Sequence, residues 1–420
     1  MGAIRPQEQG THLRSASPND VYRGSDATKL AIYGAEPTSR GSRKPIESIV
    51  RSVKYARAFR LDAKGWRQGD LSGLDYRNYV SPYSTNRGDL AICQAVERFA
   101  RLYEPDAVIE RIRWGAIHPL QPVWSNFIVA GSGYVILDAQ GKVSPRLASD
   151  IQFFRRHGIK PVIFGVGINQ PGARAREGSQ INIDPETAAS MSELLSLAKG
   201  ISVRDAFTRE TFARYTDKTV ELIGDPALHL GQLCGIAHQP QHTGKRRLLI
   251  GLNLNFHGPT STRLLQRNLP IIVAALRSMR DRYDCDFRYF VHFEASSVIP
   301  RLLALEGIKM HVVQGSPETL LRHYADLDLH IGGMLHSCIL AHSVGTPAIA
   351  LAYDIKHRGF MELFGLEGNC ISASGLTSSE LLERVDDALA SLSSHRATIE
   401  QTRKRLEGDT HRFARKYLGT

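Results

Sequence analysis

Short apolar segments, each followed by a segment with helical periodicity, recur along most of this chain. Asn126–Ala130 stops at Gly131, and residues 160–164 stop at Gly165. Buried strands that end in glycine and alternate with helices are typical of parallel α/β sheets. Because such sheets bind ligands at the carboxyl ends of their strands, the residues that follow these segments are the first candidates for a functional site.

The alternation restarts after a polar linker, which divides the chain into two similar halves. We assign residues 81–235 to an N-terminal domain and residues 245–420 to a C-terminal domain with C-terminal helices. A length of 420 residues suits two domains and an extension. The pattern predicts an α/β protein with two Rossmann-like domains that face a central cleft, a glycosyltransferase-B-like arrangement. A cleft between domains is the default binding site.

Residues 1–80 precede the alternation and contain 14 Lys or Arg against 8 Asp or Glu, which is +6 of the formal charge of +11. We expect residues 1–44 to be disordered or a loosely held arm, since they lack an apolar period. Residues 45–60 predict a basic amphipathic helix, with an apolar stripe formed by Ile46, Ile49, Val50 and Val53. This helix either lies on the inner, anionic membrane surface or packs on the main body with its basic face in water.

Several classes of protein are disfavoured by what the sequence lacks. No apolar run approaches the roughly 20 residues of a membrane span, and no secretory signal is evident. Five scattered cysteines without a Cys-x-x-Cys pair indicate a reducing compartment. RNA- and DNA-binding signatures and metal-binding His or Cys spacings are absent. We therefore expect a cytoplasmic protein with no metal site and no nucleic-acid partner.

The N-terminal half offers two candidate anion sites. Asn86-Arg-Gly-Asp89 enters a helix, where backbone amides bind anions and Gly88 allows close approach; Asp89 could instead cap the helix. Gly131-Ser-Gly133 is a Gly-x-Gly turn, and a second such turn follows the next strand. Neither completes the dinucleotide fingerprint, so a phosphate cradle and a plain tight turn both remain open.

Arg204 and His336 are the candidates with the most definite chemistry. Arg204 follows a buried strand, where its planar fork suits a carboxylate or a phosphate, unless it pairs with Asp205 or Glu210. His336 follows two glycines between an apolar strand and an apolar helix, where an imidazole could donate a proton or serve a structural role. His292 and Lys356 add further titratable or positive groups. Ser337 lacks a His/Asp relay, so no covalent nucleophile is proposed.

An ordered set of short motifs spans about residues 84–373. The set comprises Asn86-x-Gly-Asp89, the turn at Gly131, Gly165-Val-Gly167, Ser202-Val-Arg-Asp205, Asp225-Pro-Ala227, Leu335-His-Ser-x-Ile-Leu-Ala341, Gly345-Thr-Pro347 and Tyr353-Asp-x-Lys356. In this set the chain resembles the polysaccharide pyruvyl transferase family. The C-terminal segment around His336 carries most of the specificity.

The resemblance implies transfer of the enolpyruvyl group of phosphoenolpyruvate to two hydroxyls of a sugar, which yields a pyruvate ketal and phosphate. The implied acceptor is a polysaccharide or its lipid-linked precursor, and the donor is a substrate, so no cofactor is expected. The resemblance suggests Arg204 as an anion clamp and His336 as an acid/base or phosphate ligand. The expected substrate-binding residues are Asn86, Gly88, Asp89, Gly131, Gly133, His292, Ser337 and Lys356.

One position departs from the family pattern. The family has an arginine two residues before the histidine, and this chain has Met334, whose thioether does not bind a carboxylate. Lys356, Arg358 or His292 could supply the missing charge. Alternatively, the donor differs, for example a nucleotide sugar used by a glycosyltransferase on the same fold, or the protein is a non-catalytic glycan- or anion-binding homologue.

Overall fold

The computed structural model describes residues 28–34, 45–79, 85–117, 123–131, 133–170, 183–238, 247–256 and 261–419, with the backbone alone at 45–51, 76 and 77. The strands are β1 (Lys29–Tyr33), β2 (Val108–Ile112), β3 (Asn126–Ala130), β4 (Gly133–Ile136), β5 (Val162–Asn169), β6 (Gly200–Val203), β7 (Val220–Leu222), β8 (Leu248–Asn253), β9 (Cys285–Phe290), β10 (His311–Val313), β11 (Leu329–Gly332), β12 (Ala348–Ala352) and β13 (Cys370–Ser372). The helices are α1 (Pro45–Arg67), α2 (Arg87–Tyr103), α3 (Pro145–His157), α4 (Pro185–Leu197), α5 (Ala206–Phe212), α6 (Leu230–Leu233), α7 (Ser261–Arg282), α8 (Ile299–Leu305), α9 (Pro317–Ala325), α10 (Leu335–Ser343), α11 (Ile355–Leu363), α12 (Ser378–Ala390) and α13 (Leu392–Leu418). Short 3-10 helices lie at Tyr76–Tyr79, Pro226–His229, Glu294–Val298 and Glu367–Asn369.

Two sheets form the centres of two domains. The first has the order β2-β1-β3-β5-β6-β7, with β4 also paired to β5, and the second has the order β10-β9-β8-β11-β12-β13. Every strand pairing is parallel. Parallel pairing requires crossover connections, which the helices supply. The predicted glycosyltransferase-B-like pair of Rossmann-like domains is confirmed.

Strand β1 corrects the predicted extension over residues 1–80. It lies between β2 and β3 in the first sheet, and residues 30–33 are fully buried. The first domain therefore includes residues well before 81. Its five residues, Lys-Leu-Ala-Ile-Tyr, are too few to show a period, and a polar segment surrounds them. The disorder predicted for residues 1–27 and 35–44 lies outside the described residues.

Helix α1 packs on the second domain and runs beyond the predicted end at residue 60. The guanidinium of Arg301, on α8, lies 4.0 Å from the ring centroid of Phe59 and 5.4 Å from that of Tyr55. Trp66 is buried and donates a hydrogen bond to Glu306. Val53, predicted to be part of the apolar stripe, is 64% exposed. The rest of that stripe lies where side chains are not described.

Helix α13 corrects the predicted second-domain boundary, because it crosses to the first domain. Phe413 has its ring centroid 5.6 Å from that of Phe164 in β5. The Thr410 hydroxyl donates a hydrogen bond of 3.1 Å to the carbonyl of Ile223. The last helix therefore covers the first sheet and ties the domains together. Among the described helices, none combines the length and apolar character needed to cross a membrane.

Candidate active site

A cavity of about 1040 Å³ lies between the carboxyl ends of the two sheets. Residues that follow strands of both domains line it, as expected for parallel sheets. The first domain contributes Asn86, Asp89, Gly133, Asn169 and Arg204, among others, and the second contributes Met334, His336, Tyr353, Asp354 and Lys356. The central cleft predicted from the two-domain pattern is therefore a real concavity.

Arg204 lies in this cavity because a glycine leaves room for it. Strand β5 continues through Gly165-Val-Gly167, so the predicted turn there is wrong; Gly165 has φ +65°, and the pairing with β6 is irregular at this point. A Cβ on Gly167 would lie 2.1 Å from Nε of Arg204. The guanidinium donates to Oδ1 of Asn169 at 2.8 Å and to Oδ2 of Asp205 at 3.2 Å. Arg204 therefore both pairs with Asp205 and faces the cavity.

His336 begins α10 and meets the first domain at two points. Its imidazole packs against Gly88, where a Cβ would lie 2.2 Å from Nδ1. Its Nε2 lies 3.7 Å from Oδ2 of Asp225. The other carboxylate oxygen of Asp225 accepts a hydrogen bond of 3.0 Å from the Ala227 amide and caps the 3-10 helix there. Asp225 was not a predicted site residue, although the Asp-Pro-Ala motif marks it.

Lys356 provides a second cation in the cavity. Its Nζ lies 3.9 Å from Oδ2 of Asp354 and 5.2 Å from the ring centroid of Tyr353. Burial lowers the pKa of Lys356, and the Asp354 carboxylate opposes this shift. Oδ1 of Asp354 accepts from the Lys356 amide at 3.2 Å, which caps α11 and fixes the carboxylate. The pairing of Lys356 with Asp354 thus coexists with a position in the cavity.

The start of α2 places polar side chains opposite these cations. Asn86 caps the helix, with Oδ1 accepting from the Gly88 amide at 3.0 Å, so the alternative in which Asp89 is the cap is wrong. The Asn86 amide group donates to Oδ2 of Asp89 at 2.9 Å. The Arg87 amide donates to the carbonyl of His292 at 3.0 Å, which joins this helix end to the second domain.

Four predicted substrate-binding residues, Gly88, Gly131, His292 and Ser337, do not line the cavity. His292 is fully buried, with Nε2 2.8 Å from the Tyr324 hydroxyl, and burial holds the pKa of His292 well below its usual value. Ser337 is also fully buried, and its hydroxyl donates to the Met334 carbonyl at 2.7 Å. Gly131 has φ +44° and packs on neighbouring side chains. These residues support the fold around the site.

Met334 stands on the cavity wall where the family has arginine. Its sulfur lies 3.9 Å from Nδ2 of Asn255. Of the three cations considered as substitutes, Lys356 lines the cavity. Arg358 donates to Glu362 at 2.7 Å and is not part of the lining, and His292 is enclosed in the core.

Arg146 is a cavity cation that the sequence did not indicate. Its guanidinium lies 4.7 Å from the ring centroid of Trp114 and donates to the Tyr134 carbonyl at 3.0 Å. Helix α3 begins at Pro145, and no neighbouring residue in the sequence suggests a role for Arg146. Within the described ranges, no group of three or more His, Cys, Asp or Glu side chains is placed to hold a metal.

The chain is similar to one known family and to several solved structures. The model of the family described as polysaccharide pyruvyl transferase matches residues 86–355. UDP-GlcNAc 2-epimerase from Methanocaldococcus jannaschii is 10% identical, with a TM-score of 0.43, over 86% of this chain and 93% of that one. Trehalose 6-phosphate synthase from Burkholderia multivorans is 12% identical, with a TM-score of 0.41, over 93% and 95%. No curated protein matches the sequence.

Proposed function

The chain belongs to the polysaccharide pyruvyl transferase family, and we propose that it transfers the enolpyruvyl group of phosphoenolpyruvate to two hydroxyls of a sugar. The proposed acceptor is a polysaccharide or its lipid-linked precursor. The observation that carries the proposal is the meeting of Arg204, Lys356 and His336 in one interdomain cavity. A donor with a phosphate and a carboxylate needs converging cations and a proton donor, and this cavity offers both.

The first proposed step adds a sugar hydroxyl across the double bond of the donor. His336 gives a proton to the methylene carbon, while the hydroxyl oxygen bonds to the central carbon and loses its proton. Positive charge develops on the central carbon, so the adjacent carboxylate must stay bound and oriented. Arg204 suits this task, because it is held on Gly167 and its guanidinium is nearly enclosed.

The second proposed step closes the ketal. A second hydroxyl of the same sugar bonds to the central carbon, and the carbon–oxygen bond to phosphate breaks. Phosphate leaves with the electron pair and takes up the proton of that hydroxyl. Lys356 is suited to neutralise the departing phosphate, since an ammonium acts as a compact point charge. No cofactor enters this scheme.

Met334 stands in place of the family arginine, and this affects which cations are proposed to bind the donor. An arginine binds a carboxylate or phosphate with two parallel hydrogen bonds, whereas a lysine offers a single charged centre. Lys356 therefore replaces the charge of the missing arginine but not its geometry. The proposed consequence is a donor held mainly by Arg204 and less tightly than a second arginine would hold it.

We also propose that α1 brings the protein to the anionic, cytoplasmic surface of a membrane. Its exposed basic residues are Lys54, Arg57, Arg60, Lys64 and Arg67. Val53 and Leu61 are 64% and 62% exposed on the same helix. A basic surface with exposed apolar side chains suits anionic lipid at roughly 1 kcal/mol per cation. Such a position would favour a lipid-linked acceptor.

The deciding experiment incubates purified protein with phosphoenolpyruvate and lipid-linked or free glycans. We expect phosphate release that depends on the glycan, together with a ketal methyl signal in proton NMR. The His336→Ala variant is the control and should release no phosphate above background. Turnover with nucleotide sugars alone would contradict the proposal and favour a glycosyltransferase. Glycan binding without any turnover would favour a non-catalytic homologue.

A further inference from the structure

Asp225 has a buried carboxylate oxygen that the fold alone does not use. The residue is 1% exposed, and its Oδ1 serves as the cap of the 3-10 helix at Pro226–His229. Its Oδ2 is enclosed and has no hydrogen-bond partner among the described residues. Enclosed polar atoms without partners are uncommon because their desolvation is unfavourable. We therefore expect Oδ2 to accept a hydrogen bond in the active protein.

The ring of His336 supplies that donor from the other domain. Nε2 lies 3.7 Å from Oδ2 of Asp225, and this nitrogen is also buried without a partner in the described part of the chain. Helix α10, which carries His336, packs against the 3-10 helix that Asp225 caps. An approach of about 0.5–1 Å would convert the contact into a hydrogen bond. Catalytic hydrogen bonds are often long before substrate binds.

The opposite edge of the ring meets the start of α2. Nδ1 of His336 lies against Gly88, next to Asn86, whose side chain lines the cavity. The first domain thus contacts both ring nitrogens of a histidine that belongs to the second. The His336 side chain lines the cavity, and its Nε2 is enclosed beside the carboxylate, so the ring can meet a substrate only through Nδ1.

We propose that Asp225 is a positioning residue that holds the Nε2–H of His336 and thereby directs Nδ1 toward the donor. This inference rests on the proposed function. Nδ1 gives its proton to the methylene carbon of the donor and regains one from the attacking hydroxyl, so the ring ends as it began. Asp225 keeps its negative charge throughout and stabilises the imidazolium, and it touches no substrate atom. The site is complete only when the two domains are in contact.

Two substitutions separate this role from helix capping. Asp225→Asn keeps an oxygen for the Ala227 amide but removes the charge, whereas Asp225→Ala removes both. We expect Asp225→Asn to melt near the wild-type temperature, with kcat about 100-fold lower and KM for phosphoenolpyruvate nearly unchanged. Asp184→Asn is the matched control, because Asp184 caps α4 in the same manner and is not among the cavity-lining residues. Its kcat should equal that of the wild type.

A second measurement does not depend on the reaction. Imidazole 15N shifts of labelled histidines, with the His336 signals assigned from the His336→Gln variant, report which nitrogen carries the proton. With the ring titrated to its neutral form, we expect the proton on Nε2 in the wild type and a mixture of the two tautomers in Asp225→Asn. An unchanged tautomer together with unchanged kcat would overturn the role of Asp225. A wild-type protein with the Nε2–H tautomer but no pyruvyl transfer would overturn the proposed function alone.

Discussion

Gly88 and His336 belong to different domains, yet the backbone of one lies against the imidazole of the other. A Cβ on Gly88 would lie 2.2 Å from Nδ1 and 2.3 Å from Cγ of His336. Real Cβ atoms do not approach so closely, so glycine at this position is what allows the ring to occupy its place. The sequence predicted that the backbone at Gly88 approaches an anion, whereas in the structure this backbone contacts the ring of His336.

The first prediction concerns the room that Gly88 leaves. Gly88→Ala forces the His336 ring or the start of α2 to shift, and a misplacement of about 1 Å can lower a rate roughly 100-fold. We expect kcat for pyruvyl transfer to fall by about that factor. Gly368→Ala is the control, since a Cβ there meets no atom within 4 Å. Full activity of Gly88→Ala would show that the ring position does not matter.

The second prediction concerns the cation that replaces the family arginine. Lys356→Gln should raise KM for phosphoenolpyruvate by about 10- to 100-fold, because a charge-assisted contact contributes roughly 1.5–3 kcal/mol. Steady-state kinetics with saturating acceptor would measure it. Lys404→Gln is the control, because Lys404 is 72% exposed and pairs with Glu400 at 3.3 Å. An unchanged KM would exclude Lys356 from donor binding.

The third prediction concerns acid stability. Burial lowers the pKa of His229 to about 4, and those of His330 and His342 to about 3. In the unfolded chain these histidines become protonated near pH 6.5, whereas in the folded chain they do so only near pH 3–4. Protons therefore favour the unfolded chain, and the free energy of unfolding, highest above pH 6.5, decreases as the pH falls below that value. At pH 5.5 each histidine removes about 1 kcal/mol of unfolding free energy.

Urea unfolding at pH 7.5 and at pH 5.5 would measure this loss. The control is His157→Gln, since His157 is exposed and its replacement should leave the pH dependence unchanged. Equal stability at both pH values would show that these histidines become protonated without unfolding.

The fourth prediction concerns the exposed face of α1. The triple variant Arg57→Gln, Arg60→Gln and Lys64→Gln should bind vesicles of anionic lipid about 100-fold more weakly, from roughly 1 kcal/mol per cation. Co-sedimentation with phosphatidylserine-containing vesicles at low salt would measure it. Equal binding by this variant would contradict the membrane proposal. Deleting residues 1–60 is not a suitable test, because it removes β1 from the first sheet.

A matched variant tests whether position or total charge matters. Arg156, Arg209 and Arg214 are exposed basic residues on other surfaces of the first domain. Their simultaneous replacement by Gln lowers the net charge by the same amount, and we expect vesicle binding to remain close to the wild-type level.

Sequence periodicity captured the local structure where apolar segments were long enough. Strand β3 has the bounds of the apolar segment Asn126–Ala130, and Arg204, His336 and Lys356 meet in one cavity as the strand-end argument predicted. Strand β1 was not predicted, because the four apolar residues that follow Lys29 are too few to show a period.

Contacts between residues far apart in the sequence could not be predicted, for a different reason. The pair of Asp225 and His336 depends on how the two domains pack, and no local pattern encodes that packing. The role of Gly167 was missed likewise, because a glycine in a strand does not reveal which side chain will occupy the space beside it.

The path of α13 has a consequence for how this protein is made. The first domain is otherwise complete at α6, which ends at Leu233, yet the surface around Phe164 receives Phe413 only near the end of the chain. At a ribosomal rate of about 5–20 residues per second, roughly 10–40 s separate the two events. During this time the nascent first domain exposes an apolar surface. A chaperone that covers such surfaces during translation should therefore raise the yield of folded protein.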